Sequence, residues 1–217
     1  MRRSAQDERT LEMTARLRSP AVAIAALTSL ISLIITVGGL EGLAAAEMGF
    51  IPARLSADWS PATLLTIFSC TLVHGGLLHL FLNMVMLLLT GVAVERVIGP
   101  GGVIVIYLVS AVTSALAQWS VDPASTVPVI GASGAISGVI GAYALSFGRV
   151  KRISASPRLN RLVHILWLAA AWTVLQIAVG LTAGQSGMML ATPAHVGGFL
   201  TGLLMQRPLL LWRYRRA

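Results

Sequence analysis

Four side chains in a mostly apolar chain have the types needed to activate a hydroxyl and stabilise an anion. Ser133 lies in "GASGAISG" (131–138), His195 in "AHVGGFLTG", and His79 and Asn83 in "HGGLLHLFLNM". A serine becomes a useful nucleophile when a histidine within hydrogen-bond reach takes its proton, and the uncharged imidazole is the form that can do so. His195 is the candidate base. No Asp or Glu follows Asp122, so a two-residue Ser133/His195 dyad is implied rather than a triad closed by a carboxylate. His79 and Asn83 are four residues apart and share one face of a helix. With the backbone N–H of Ser133 at a helix start, they can supply donors to a developing oxyanion.

What must position these residues follows from composition. The 217 residues are 56% hydrophobic and 11% charged, with mean hydropathy +0.81, against roughly 25% charged in an ordinary soluble domain. That is the composition of an integral membrane protein, with the lipid bilayer as its first partner. A span takes about 20 mostly apolar residues, and six windows qualify: 21–40, 76–94, 101–119, 131–148, 162–181 and 193–212. Backbone polar groups in lipid must be satisfied within helices or a closed barrel, and these runs lack the period-two alternation of barrel strands. The expected fold class is all-α, a polytopic bundle of six transmembrane helices with a long first outer loop.

The net charge of +8 does not call for nucleic acid. Of the sixteen basic residues, all but Arg54 precede the first window, follow the second, separate the fourth from the fifth, or end the sixth. This positive-inside asymmetry puts both termini in the cytoplasm. The first apolar run is too long, and its polar leader too extended, for a cleaved signal peptide, so it is expected to remain. Cys70 is the single cysteine, which excludes an internal disulfide.

With that topology the second, fourth and sixth spans all descend from the outer side. His79, Ser133 and His195 are then expected at similar depth, within the first turns below the outer surface. Polar side chains inside spans are costly and are functional candidates for that reason. Gly134, Gly138 and Gly141 lie close to one stripe of the fourth span, and Gly198 and Gly202 form a GxxxG in the sixth. Small residues let helix backbones approach closely, which would carry Ser133 to His195. Taken singly, "GASG" reads as helix packing and either histidine as an interhelical bond; their combination is what favours chemistry. The connection 41–75 is too apolar for a solvated loop and is expected in the outer interface, with Trp59 as its anchor. The stretch 184–193, "GQSGMMLATP", is expected either as a moving lid over Ser133 or as an ordinary outer loop.

At these residues the sequence resembles the rhomboid family of intramembrane serine proteases, of the bacterial six-helix type. "HGGLLHLFLNM", "VERVIG", "GASG" and "AHVGGFLTG" occur in the family's order and spacing. The resemblance implies that Ser133 attacks a peptide bond and that His195 serves as base and then acid. It also implies that His79, Asn83 and the Ser133 amide bind the oxyanion. His74 would be a structural loop residue, Gly131 with Ala132 would shape the turn before the nucleophile, and Gly134, Gly198 and Gly202 would support the site. The substrates would be single-pass transmembrane proteins, cut near the outer end of their helix after small residues, without cofactor or metal. The implied location is a bacterial inner membrane, and the fifth span, with Trp167 and Trp172, would be the lateral gate. The domain organisation is then a cytoplasmic segment 1–20, a rhomboid membrane domain 21–212 and a basic tail 213–217. Two departures stand out. Ser137 replaces the aromatic residue that many relatives carry one turn after the nucleophile, and Arg54 and Trp59 are apart where some relatives have a Trp-Arg pair.

Other chemistries fail on residue counts. None of His74, His79, His164 and His195 is followed by Glu, as a zinc protease motif requires. No span contains the two aspartates of an aspartyl intramembrane protease, and Ala135 breaks the G-x-S-x-G elbow of soluble hydrolases. His164, beside Arg161, reads as interfacial. The rival classes are a catalytically inactive relative that binds membrane clients, which usually lacks the serine or histidine, and a small transporter. A transporter would show buried charges or an inverted repeat, and neither is present.

Overall fold

The computed structural model describes residues 19–185 and 191–215. Among them nine α-helices follow in order: α1 Pro20–Val37, α2 Glu41–Met48, α3 Pro52–Ala57, α4 Pro61–Ser69, α5 Leu77–Ile98, α6 Pro100–Val121, α7 Ser133–Phe147, α8 Pro157–Gln185 and α9 Thr192–Arg213. A 3₁₀ turn, Cys70–Leu72, links α4 to α5. The chain is all-α, as its periodicity requires, and is an integral multi-pass membrane protein. Helices α1, α5, α6 and α8 are long and apolar enough to cross a membrane.

The other two expected spans differ from that standard in instructive ways. With 15 residues, α7 is about 22 Å long, short of the roughly 30 Å hydrocarbon core. The chain reaches it through a non-helical segment, 122–132. Although α9 has 22 residues, Gln206 and Arg207 lower its apolarity. The fifth window grows at both ends: α8 starts at Pro157, whose fixed φ suits the first helical position, and continues to Gln185. Of the 184–193 stretch read as lid or loop, residues 186–190 lie outside the described residues.

The centre of the bundle is α7, enclosed by α5, α6 and α9. Leu87, Val94, Ile106, Ala135, Ile136 and Val139 form its apolar core. The first long connection is folded as α2–α4 and docks on the segment before α7. Phe50 and Val129 exchange N–H···O bonds of 3.0 and 2.8 Å, and Ala53 N–H donates to Ser125 O at 2.9 Å. Trp59 is 60% exposed. At the opposite end, Glu95 at the base of α5 accepts from Ser19 Oγ and Ala21 N, both at 2.8 Å. A carboxylate at a helix N-terminus satisfies its unpaired donors and its dipole together. Arg213 closes the clasp by donating to the carbonyls of Glu95 and Arg96.

In contrast, α8 packs chiefly on α9, and every residue from Leu162 to Val179 is half-buried or exposed.

Candidate active site

Ser133 is the first residue of α7, so its backbone N–H has no carbonyl one turn earlier to bond. The turn that delivers it depends on Gly131, whose φ is +110°, a region that side chains rarely adopt. A Cβ there would also sit 2.8 Å from Cε1 of His79. Gly131 N–H donates to Cys70 O at 2.9 Å.

His74 secures the next residue. Ala132 N–H donates to His74 Nε2 at 3.4 Å, which puts the ring proton on Nδ1. That nitrogen donates to Ser32 Oγ at 2.9 Å, and the Ser32 hydroxyl donates to Leu72 O at 2.8 Å. One buried chain thus runs from α1 through the loop to the turn before Ser133. Burial, and second the neighbouring His79, push the His74 pKa down from 6.5 to about 4.

A testable pH dependence follows. An unfolded histidine binds its proton near pH 6.5 and the folded one only near 4, so the unfolded state holds more protons between these values. The stability associated with neutral His74 is therefore fully present above pH 6.5 and is lost as pH falls toward 4, by about 3 kcal/mol. The melting temperature of the detergent-solubilised protein should fall across this window, and His74→Gln should flatten that dependence while lowering stability at pH 7. Equal slopes for the two proteins would show that another group titrates.

Ser133 and His195 meet. Ser133 Oγ lies 2.7 Å from His195 Nε2, with His195 on the first turns of α9 and 8% exposed. What permits this is the seam between α7 and α9. A Cβ at Gly202 would strike the carbonyl of Gly138, one at Gly198 the carbonyl of Gly134, and one at Gly141 the carbonyl of Phe199. Three backbone contacts along one seam show that Gly141, Gly198 and Gly202 are needed for the approach.

His79 and Asn83 take up positions beside this pair. Gly75 N–H donates to His79 Nδ1 at 3.3 Å, which leaves Nε2 carrying the proton, and that edge of the ring lies over Gly131. Asn83 Nδ2 donates to its own helix at His79 O, at 2.9 Å; one amide hydrogen is engaged there and the second is available. His164 lies at the other end of α7, against Gly148.

A narrow cavity of about 30 Å³ opens beside Ser133 and His195, lined by Cys70, Thr71, Ser114 and Ala115 among others. Cys70 is no rival nucleophile. Burial pushes its thiol up to about 12, although a backbone hydrogen bond with Phe50 opposes the shift, and the reactive form is the thiolate.

Two polar residues at the site escaped the sequence reading. Ser32 anchors His74, and Gln176 on α8 places Oε1 2.7 Å from His195 Nδ1. The available signal for Gln176 was its amide, solitary in an apolar span where polar groups are costly. Ser137, at the position of the missing aromatic ring, donates instead to Ser133 O at 2.7 Å. The arrangement can pass a proton from Ser133 Oγ to His195 and hold the ring from its far side.

Known proteins resemble this chain over most of the stretch that carries these residues. The model of the Rhomboid domain matches residues 61–212. Rhomboid protease GlpG of Pectobacterium atrosepticum is 34% identical over 139 residues, 64% of this chain and 46% of that protein. RHOMBOID-like protein 4 of Arabidopsis thaliana is 31% identical over 147 residues, 67% of this chain and 34% of that protein. Rhomboid protease GluP of Bacillus subtilis is 32% identical over 133 residues, 60% of this chain and 23% of that protein. The matched stretch is less than half the length of these relatives. Since the domain model takes in every one of His74, His79, Asn83, Ser133 and His195, and most of the helices that bring them together, this chain belongs to the rhomboid family.

Proposed function

We propose that this protein is an intramembrane serine endopeptidase acting on single-pass transmembrane proteins, with Ser133 as nucleophile and His195 as general base and acid. The observation that carries the proposal is the 2.7 Å approach of Ser133 Oγ to His195 Nε2. As Oγ bonds to the substrate carbonyl carbon, its proton passes to Nε2. The carbonyl oxygen, now an anion, takes hydrogen bonds from the Ser133 N–H, His79 Nε2 and Asn83 Nδ2. Collapse breaks the C–N bond, and His195 returns its proton to the leaving amine. Water then attacks the acyl-enzyme with His195 again as base, and the Oγ–C bond breaks to restore Ser133. No step uses a metal or cofactor.

The cavity of about 30 Å³ beside Ser133 supports a small residue before the scissile bond, since roughly one extra methylene already alters discrimination by 1–3 kcal/mol. The asymmetry of basic residues supports a cytoplasmic location for both termini, and hence a site that opens toward the outer side of its membrane; the membrane proposed is a bacterial inner one.

The direct test is labelling by a fluorophosphonate in native membranes. Wild type should react, while Ser133→Ala and His195→Ala should not. Labelling that persists in Ser133→Ala places the nucleophile elsewhere, and a wild type that never reacts favours a client-binding role. For the oxyanion donors, His79→Ala and Asn83→Ala should each lower kcat roughly 10²- to 10³-fold with little change in KM. If KM alone rises, they contact the substrate but not its developing charge.

A further inference from the structure

The base in this site is held from behind by a neutral amide. His195 presents Nε2 to Ser133 Oγ and Nδ1 to Gln176 Oε1, each at 2.7 Å. An amide oxygen only accepts, so Nδ1 carries the ring proton and the lone pair is on Nε2, facing the serine hydroxyl. This is the tautomer a general base requires. The opposite tautomer would aim an N–H at Ser133 and leave Gln176 Oε1 unpaired.

Gln176 is itself held in place. Its backbone carbonyl accepts from Thr192 Oγ1 at 3.4 Å, at the start of the helix that bears His195. One turn earlier on α8, Trp172 Nε1 donates to the carbonyl of His195 at 3.2 Å. The Trp172 ring stacks on Phe199, with centroids 4.6 Å apart and planes 7° apart. Among the described residues, these polar and aromatic contacts of α8 with α9 gather around His195, in a stretch from Leu162 to Val179 that is half-buried or exposed throughout. No Asp or Glu occurs beyond Asp122, and Ser137 is turned to the Ser133 carbonyl. Neither a carboxylate from the later part of the chain nor a ring at position 137 orients the imidazole.

We infer that Gln176 is the positioning residue of this site, its amide oxygen fixing His195 in the Nδ1–H tautomer so that Ser133, His195 and Gln176 act as a three-member chain. The inference rests on the peptidase proposal for its kinetic consequence, but not for the tautomer itself. During acylation the proton taken from Ser133 enters at Nε2, and the Nδ1–H bond to Gln176 keeps the ring from turning. A neutral amide orients the imidazole without adding a counter-charge to it.

The test uses the full-length protein in liposomes, with a transmembrane peptide as substrate, comparing wild type with Gln176→Leu and Gln176→Glu. The Leu side chain has similar reach and no acceptor; Glu restores an acceptor oxygen at the same position. Gln176→Leu should lower kcat roughly 10- to 100-fold, as small misplacements of catalytic groups do, with KM within about twofold of wild type. Gln176→Glu should recover most of the loss, which a purely structural role for the amide does not predict. Imidazole ¹⁵N shifts in histidine-labelled protein should report Nδ1–H for His195 in wild type and a mixture of tautomers in Gln176→Leu. A wild-type spectrum showing Nε2–H, or Gln176→Glu as impaired as Gln176→Leu, overturns the inference. If wild type hydrolyses nothing, the peptidase proposal fails, while the nitrogen spectra still decide the role of Gln176.

Discussion

Ser133→Ala is expected to abolish proteolysis while leaving the fold intact. The loss should be on the order of 10⁶ in kcat, the scale seen when a nucleophile acting as one unit with its base is removed. The fold should survive because the change deletes one oxygen at the first residue of α7, where the hydroxyl contacts His195 and caps nothing else. A melting temperature within a few degrees of wild type would confirm that the loss is chemical. His195→Ala should give a loss of similar size, and the double variant should lose little more than either single one. Additive losses would mean that the two residues act in separate steps, contrary to a proton passing between them. Substantial cleavage by Ser133→Ala would remove the nucleophile assignment altogether.

Gly202→Val is expected to disable the protein by a different route, since it changes no reacting group. A Cβ at Gly202 would strike the backbone carbonyl of Gly138 and approach the backbone of Ala142. Backbone atoms cannot rotate away as a side chain can, so α9 would have to back off from α7. Overpacking of this kind typically costs 1–3 kcal/mol and occasionally more. Gly202→Ala is therefore expected to lose about 3 kcal/mol of stability and Gly202→Val to yield little folded protein. Whatever folds should label poorly with fluorophosphonate, because separating the helices by about 1 Å lengthens the 2.7 Å dyad contact beyond hydrogen-bonding range. A Gly202→Val protein with wild-type melting temperature and labelling rate would show that the seam does not set the approach of Ser133 to His195.

The bundle itself was legible in the chain because lipid leaves few alternatives. Once six apolar windows are present, the backbone must close its hydrogen bonds within helices, and the windows at 76–94 and 101–119 fall on α5 (Leu77–Ile98) and α6 (Pro100–Val121), with starts within one residue and ends that run further. Local composition resolved the ends less well. Pro157 starts α8 inside a polar, basic stretch, and α7 starts only at Ser133, after the turn that Gly131 makes at φ +110°.

The types of the candidate groups were also present in the sequence: a serine between glycines, a histidine beside a GxxxG, and His79 and Asn83 four residues apart. A one-dimensional pattern can place such residues at similar depth, because depth follows from position along a span. Azimuth and distance do not follow, because the rotation of each helix is set by the neighbours it packs against. Only the tertiary structure therefore brings Ser133 Oγ to 2.7 Å from His195, links His74 to Ser32 on α1, and turns Asn83 toward its own helix. It alone brings Gln176 from α8 to the far nitrogen of His195, where an aromatic ring or a carboxylate was the natural thing to look for. The sequence by itself determined which long apolar segments form helices and which groups are candidates to react. The packing of α7 against α9, and of α8 against both the ring and the backbone of His195, decided how those groups face one another.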